Sequence, residues 1–122
     1  MIRIATSNDF VDILSIEKKV FKHPWSKEQL DWELNSQPVA ENYVMIAKGI
    51  MIGYLFSHII DDDVQILNIA IDIPFQHEGY GEQLLSYFLD QFNIDSSIHL
   101  EVRKSNFPAI NLYLKFGFHE IG

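Results

Sequence analysis

Cysteine is absent from this chain of 122 residues, and basic residues are scarce, with 9 Lys and Arg against 17 Asp and Glu. The absence of Cys excludes disulfide scaffolds, thiolate zinc sites and a cysteine nucleophile. The longest apolar stretch, Ile50 to Phe56, is too short to span a bilayer. The N-terminus, MIRIATSNDF, lacks a basic segment followed by an apolar run, so we expect no signal peptide. A cytoplasmic protein without a membrane partner follows as the expectation.

Positive charge is almost missing from the middle of the chain. From residue 28 to residue 101, thirteen acidic residues stand against one basic residue, Lys48. Such a field repels the phosphates of nucleic acids, so no nucleic-acid partner is expected. It attracts a cationic partner such as an amine or a basic peptide, although solubility alone explains the same charge equally simply.

The apolar content is high enough to bury a core, at 48% of residues, and no linker or repeat interrupts the chain. We therefore predict one domain over residues 1–122. Periodicity, caps and turn residues predict strands and helices in the order β-α-α-β-β-β-α-β-α-β, a mixed α/β fold. The predicted strands cover residues 1–5, 43–47, 50–59, 64–71, 98–103 and 118–121, and the predicted helices cover 10–21, 26–37, 82–92 and 106–116.

A glycine-containing loop, Gln76-His77-Glu78-Gly79-Tyr80-Gly81, lies between a predicted strand and a predicted helix. This arrangement gathers backbone N–H groups around an anion, but a tight turn that only caps the helix has the same sequence signature. A Walker loop is excluded because no Lys-Ser or Lys-Thr follows the second glycine. The dinucleotide-binding fingerprint also fails, because its third glycine is missing.

Two side chains have both a structural and a chemical interpretation. Strand alternation places Glu101 off the core face, where it is either part of a charged ladder or a general base. Tyr113 lies among apolar residues of a predicted helix, as a core aromatic residue does. Five His residues show no i, i+3 or i, i+4 pairing, so no metal site is expected. His77 either donates to a phosphate or is exposed, and Trp25 and Trp32 either line a peptide entry or pack in the core.

Several motifs together resemble a known family. The segment LNIAI (67–71) followed by Gln76-x-x-Gly79-x-Gly81 resembles the acetyl-CoA signature of the GNAT N-acetyltransferase superfamily. LEVRKSN (100–106), AINLY (109–113) and FGF (116–118) resemble its ribosomal-protein-alanine N-acetyltransferase (RimI-like) branch. Ile16-Glu17 and Phe21-x-x-Pro24-Trp25-Ser26 fit that branch too. The resemblance covers essentially the whole chain, in the same order and at the same spacings.

The resemblance implies a GNAT fold, with a mixed, mostly antiparallel sheet flanked by helices, and acetyl-CoA as acetyl donor. It implies a protein or peptide N-terminus as acceptor, Glu101 as general base and Tyr113 as the acid that protonates the CoA thiolate. It also implies that the backbone of residues 69–71 holds the pantetheine arm and can stabilise the thioester oxyanion, and that the backbone of residues 77–82 holds the pyrophosphate. The full set of cofactor-binding residues implied is Ile69, Ala70, Ile71, Gln76, His77, Glu78, Gly79, Tyr80, Gly81, Glu82 and Asn106. An acetyltransferase for a small amine or a lysine side chain, and a non-catalytic acyl-CoA-binding module, remain the alternatives.

The chain departs from the family pattern in two places. Relatives usually carry basic residues at the positions of His77 and Glu82, whereas this loop carries Glu78 and Glu82. We therefore expect weaker acetyl-CoA affinity, or phosphate contacts made largely by backbone. RimI-like chains also continue into a hairpin that completes the sheet, whereas this sequence ends at Gly122. The open edge predicted from this is compatible with a homo-oligomer, a truncated chain or a degenerate protein.

Overall fold

A computed structural model describes residues 1–92, 96–102 and 106–119 of the chain. Within these residues, five strands and four helices follow in the predicted order. None of these helices is both long and apolar enough to cross a membrane. The elements are β1 (Ile2–Ile4), α1 (Phe10–Val20), α2 (Lys27–Asn35), β2 (Tyr43–Ala47), β3 (Ile50–Ile60), β4 (Asp63–Ile71), α3 (Tyr80–Leu89), β5 (Ser97–Leu100) and α4 (Phe107–Lys115).

Four predicted elements differ from the structure by two residues or more at one end or both. The helix α2 ends at Asn35 rather than at residue 37. The helix α3 begins two residues earlier than predicted because Gly79, at φ +86°, is its N-cap, and it ends at Leu89 in a tight turn that continues to Phe92. The strand β5 ends at Leu100 rather than at residue 103, which lies outside the described residues. Phe118 and His119 belong to no strand, and the rest of the predicted last strand, 120–122, lies outside the described residues.

The sheet is mixed and mostly antiparallel, with the strand order β1-β2-β3-β4-β5. The first three pairings are antiparallel, and β4 pairs with β5 in parallel. The hairpin of β2 and β3 turns at Lys48 and Gly49, whose φ values of +52° and +76° suit a two-residue hairpin loop. The strand β4 is interior over its first half, where it pairs with β3 on one side and with β5 on the other.

Helices cover both faces of the sheet, and each face has its own apolar cluster. The helices α3 and α4 pack on one face, and α1 and α2 pack on the other. The α3/α4 face buries, among others, Leu55, Ile66, Ile69, Leu84, Phe88 and Tyr113. The α1/α2 face buries, among others, Ile13, Ile16, Leu30, Tyr54, Phe56 and Ala70. The strand β4 contributes to both clusters, so its geometry affects both sides of the sheet.

Candidate active site

The strand β4 separates from β5 halfway along its length. Its first four residues, Asp63 to Ile66, pair with Ser97 to Leu100, whereas its pairing with β3 continues to Ile71. The stretch Leu67 to Ile71 therefore has one side without a partner strand among the described residues. An extended ligand can add to such an edge by forming main-chain hydrogen bonds, as peptides do in strand addition.

The direction of the peptide groups along this open stretch follows from two hydrogen bonds. The N–H of Asp72 donates to the carbonyl of Ile52 in β3 at 2.8 Å, and the carbonyl of Ile71 accepts from Gln76 Nε2 at 2.9 Å. Because successive residues of a strand direct their peptide groups to opposite sides, Ile69 and Ile71 point theirs to the open side. Ala70 points its peptide group at β3. The N–H groups of Ile69 and Ile71 and the carbonyl of Ile69 are thus directed at the gap.

A β-bulge separates the two halves of β4. The register with β3 shifts between Phe56 and Ser57, which leaves Leu67 as the extra residue of β4. As a result, two consecutive side chains reach the same face of the sheet. Leu67 packs in the α1/α2 cluster, and Asn68 donates to Glu17 of α1. The next residue, Ile69, returns to the α3/α4 face.

The predicted phosphate loop follows the open stretch after Asp72 and one 3₁₀ turn, Ile73–Phe75. The side chain of Gln76 bonds back to the carbonyl of Ile71, which ties the loop to the end of β4. His77 (φ +66°) and Gly79 (φ +86°) reverse the chain into α3, and His77 and Glu78 are exposed. Gly79 has no side chain to cap α3, so the first N–H groups of this helix stay open to an anionic ligand.

Asp72 holds the turn between β4 and this loop. Its Oδ1 accepts from the N–H of Ile73 at 2.9 Å, and its Oδ2 pairs with Lys19 Nζ of α1 at 3.1 Å. The residue is buried, at 8% exposure. The helix α1 therefore fixes the start of the loop through an ion pair that the sequence analysis did not identify.

Glu82, in the first turn of α3, is paired with a cation. Its Oε1 lies 2.5 Å from Lys115 Nζ, at the end of α4, and both side chains are about half exposed. The expected conflict between Glu82 and a bound phosphate is reduced by this positive charge. Gly81 lies close by, and a Cβ atom there would be 3.5 Å from Leu112 of α4 and 3.8 Å from Ile71.

The two predicted acid–base residues lie on the β5 and α4 side of the site. Glu101 follows β5 and is exposed, whereas Leu100 and Val102 on either side are half-buried, which confirms the predicted alternation. Tyr113 is buried in α4, with its ring edge-on to Phe118 at a centroid distance of 5.7 Å. Burial raises the pKa of the Tyr113 hydroxyl, which therefore keeps its proton at neutral pH.

Asn106, the predicted cofactor contact near the end of the chain, is the N-cap of α4. Its Oδ1 accepts from the N–H of Ala109 at 3.4 Å. The cap engages the amide oxygen, so the amide NH2 is the part of this side chain that remains for a ligand.

A cavity of about 280 Å³ lies on the α1/α2 face and reaches the bulge of β4. Trp25 both lines it and packs edge-on against Phe56 at 5.3 Å, so the two interpretations of this residue are compatible. Trp32 is 50% exposed and forms another part of the wall. The lining residues are Trp25, Gln29, Trp32, Glu33, His58 and Leu67, with His58 Nε2 2.6 Å from Glu33 Oε2.

Glu17 belongs to the Ile16-Glu17 motif, and no role for its side chain follows from the sequence alone. It is 2% exposed, and its carboxylate accepts from Trp25 N–H at 2.9 Å, from Asn68 Nδ2 at 2.9 Å and from the Tyr54 hydroxyl. These donors come from the loop after α1, from β4 and from β3. One signal was visible in the sequence, since Glu17 occupies the apolar face of α1, four residues after Ile13.

Comparisons with known proteins agree with this architecture. A profile of the acetyltransferase (GNAT) family matches residues 7–118. A protein of Bacillus subtilis (strain 168), provisionally named a ribosomal protein bS18-alanine N-acetyltransferase, is 34% identical over 99% of this chain and 82% of its own length. The crystal structure of the Escherichia coli ribosomal-protein-S18-alanine N-acetyltransferase superposes with a TM-score of 0.87 at 28% identity, covering all of this chain and 80% of the other. The PaiA N-acetyltransferase of Thermoplasma acidophilum, solved with coenzyme A, has the same fold, with a TM-score of 0.82 at 18% identity, 98% coverage of this chain and 89% of its own.

Proposed function

Because this chain belongs to the GNAT acetyltransferase family, we propose that it transfers the acetyl group of acetyl-CoA to the N-terminal amine of a protein. The acceptor type is the ribosomal-protein alanine named for its relatives. One observation carries the proposal: the second half of β4 has no β5 partner among the described residues, and after one short turn the chain enters a loop that leads into the N-terminus of α3. A strand edge followed by an anion-binding turn suits a ligand with an extended amide arm and a diphosphate.

The donor is held mainly by backbone groups. The amides of the pantetheine arm pair with the open side of β4, where Ile69 and Ile71 direct their N–H groups. Ala70, between them, supplies the spacing. The pyrophosphate binds the N–H groups of the loop from Gln76 to Gly81 and of Glu82 at the start of α3. The N–H groups of Ile69 to Ile71 that face the gap also stabilise the oxyanion formed from the thioester carbonyl.

The transfer is a direct attack that needs no acyl-enzyme. Glu101 takes a proton from the acceptor ammonium, directly or through water, and the neutral amine adds to the thioester carbon. The carbon–sulfur bond then breaks, and Tyr113 gives its proton to the departing thiolate. The second proton that the nitrogen loses on becoming an amide passes through solvent to Tyr113 and restores its hydroxyl, while Glu101 releases the first proton to solvent. Support comes from the exposure of Glu101, which leaves it open to an amine, and from the burial of Tyr113, which keeps its hydroxyl protonated.

The acceptor approaches from the α1/α2 face. The cavity beside the bulge offers aromatic walls in Trp25 and Trp32, and Leu67 brings it to the same strand that holds the donor. The acidic middle of the chain attracts the ammonium of a peptide N-terminus. The donor in the gap beside β4 and the acceptor on the α1/α2 face can therefore meet at this strand.

Calorimetric titration with acetyl-CoA tests donor binding first, with saturable one-to-one binding as the expected result. Acetylation of a ribosomal-protein N-terminal peptide is then followed by the free thiol of CoA, which a thiol reagent reports without background because the chain has no Cys. The same peptide with a blocked N-terminus and a free Lys side chain is the control for acceptor type. Turnover of that control alone would show a lysine acetyltransferase, and binding without turnover of any amine would show a non-catalytic module.

A further inference from the structure

The buried carboxylate of Glu17 joins the proposed acceptor cavity to the proposed donor strand. We infer that Glu17 is a positioning residue that holds Trp25, and with it one wall of the cavity, against the bulge of β4. The inference rests on the proposed function for its kinetic consequence. Its structural consequence, the anchoring of Trp25, is tested independently of any activity.

Glu17 fastens both ends of the irregular segment that follows α1. Its carbonyl accepts from the N–H of Phe21 at 3.1 Å, and its Oε2 accepts from the N–H of Trp25 at 2.9 Å. Between these two bonds, residues 22–24 belong to no helix or strand and are exposed. The backbone position of Trp25 thus depends on a side chain from the preceding helix.

The other carboxylate oxygen reaches the sheet. Oε1 accepts from Asn68 Nδ2 at 2.9 Å and from the hydroxyl of Tyr54. Asn68 directly follows Leu67, and Leu67 lines the cavity together with Trp25. The Glu17 carboxylate therefore accepts from the backbone of Trp25, which lines the cavity, and from Asn68, the neighbour of Leu67, which also lines it.

The three donors are electrically neutral, so they satisfy the carboxylate without cancelling its charge. Burying a carboxylate is costly, and hydrogen bonds from neutral groups offset that cost. Oε2 accepts from the Trp25 N–H, whereas Asn68 and Tyr54 share Oε1, so loss of the Tyr54 donor leaves the bond to Trp25 in place. The bond to Trp25 requires a hydrogen-bond acceptor at this position. A residue serving packing alone would fill this position without such a requirement.

The test compares Glu17→Gln with Tyr54→Phe. The glutamine keeps the size of Glu17 but cannot accept from all three donors. Tyr54→Phe removes the hydroxyl that donates to Glu17 Oε1 and leaves the bond from the Trp25 N–H to Oε2 intact. Hydrogen exchange of the Trp25 amide measures the anchor directly. In a Trp32→Phe background, where Trp25 is the only tryptophan of the chain, acrylamide quenching of its fluorescence gives a second reading.

In Glu17→Gln we expect the Trp25 amide to exchange at least tenfold faster, as for loss of a hydrogen bond to a charged group. The peptide KM should rise about tenfold, with kcat and the Kd of acetyl-CoA within about twofold of wild type, because β3 still pairs with β4. Tyr54→Phe should leave the Trp25 amide protected and the peptide KM within about twofold.

An unchanged Trp25 amide in folded Glu17→Gln overturns the inference. So does an equal loss of protection in Tyr54→Phe, since that would reflect general destabilisation. If Glu17→Gln does not fold, Glu17→Asp retains the charge but withdraws it by one methylene, and the same readings apply. If the wild type acetylates no amine, the proposed function fails, while the exchange of the Trp25 amide still decides the role of Glu17.

Discussion

Replacing Lys115 by alanine should weaken acetyl-CoA binding, because it leaves the carboxylate of Glu82 unpaired beside the proposed pyrophosphate site. In the structure, Lys115 Nζ lies 2.5 Å from Glu82 Oε1. A phosphate bound at the proposed site therefore faces an ion pair whose two charges largely cancel. Without the lysine, the same phosphate meets a full negative charge in the first turn of α3.

The size of the effect follows from Coulomb's law. For a phosphate charge about 7 Å from the carboxylate, roughly one helical turn and part of a hydrogen bond away, the repulsion is about 1 kcal/mol at an effective dielectric constant of about 50. This corresponds to about a fivefold increase in Kd. Because both side chains are about half exposed, their pairing contributes less than about 1 kcal/mol to the free energy of unfolding.

Calorimetry on the single variant Lys115→Ala and on the double variant Lys115→Ala/Glu82→Gln separates two explanations. If Glu82 is the source of the repulsion, the double variant regains an acetyl-CoA Kd within about twofold of wild type. The defect of the single variant should also shrink as salt is raised to about 1 M, where the Debye length is about 3 Å. A double variant that binds as weakly as the single one refutes the reasoning, because Lys115 would then contact the phosphate itself.

Glu101→Gln should lower kcat by about 10²–10⁴-fold, as expected for loss of a general base, with the Kd of acetyl-CoA unchanged. Steady-state kinetics checks this, and an equal loss of kcat in the control His99→Gln, an exposed residue of β5, would contradict it. The free energy of unfolding should fall as pH rises above about 10. The pKa of Tyr54 is raised mainly by burial and further by the carboxylate of Glu17. Above about pH 10 the tyrosine of the unfolded chain therefore loses its proton while the folded one keeps it, which favours the unfolded state. Urea titrations between pH 8 and about 11 should show a shallower fall for Tyr54→Phe, and an identical slope would count against this cause. Gly53→Ala should cost about 1–3 kcal/mol, because its Cβ would lie 2.7 Å from the carbonyl oxygen of Ala70 and 2.6 Å from Ile71 Cδ1; thermal and urea unfolding measure this, and an unchanged free energy of unfolding would show that β3 and β4 can separate freely.

Local signals in the sequence were sufficient for the elements themselves. The helix predicted from residue 26 begins at Lys27, because Ser26 and Gln29 form a capping box with two reciprocal hydrogen bonds of 3.1 Å. The predicted strands 43–47 and 50–59 leave two residues between them, and Lys48 and Gly49 form the turn there. Each of these features depends on residues at most a few positions apart, which is why pattern and propensity could specify them.

The features that organise the candidate site depend on contacts far apart in the sequence. Lys115 and Glu82 are separated by 33 residues, and Glu17 and Asn68 by 51 residues. No periodicity relates such positions, because their approach is decided by how helices pack on the sheet. The sequence could therefore nominate a phosphate loop, Glu101 and Tyr113 through family resemblance, but it could not show which positive charge lies beside Glu82.

The bulge at Leu67 is the step that turns a central strand into a site with two sides. Strict alternation along β4 would place Asn68 on the α3/α4 face with Ile66, and Ile69 on the α1/α2 face. Asn68 would then leave the carboxylate of Glu17, and Ile69 would leave the cluster that it shares with Leu84 and Phe88 on the α3/α4 face. The extra residue avoids both losses, because it shifts the alternation of side chains by one position after Leu67. The same residue lines the acceptor cavity, so the irregularity that keeps Ile69 in the core also brings the proposed acceptor next to the proposed donor.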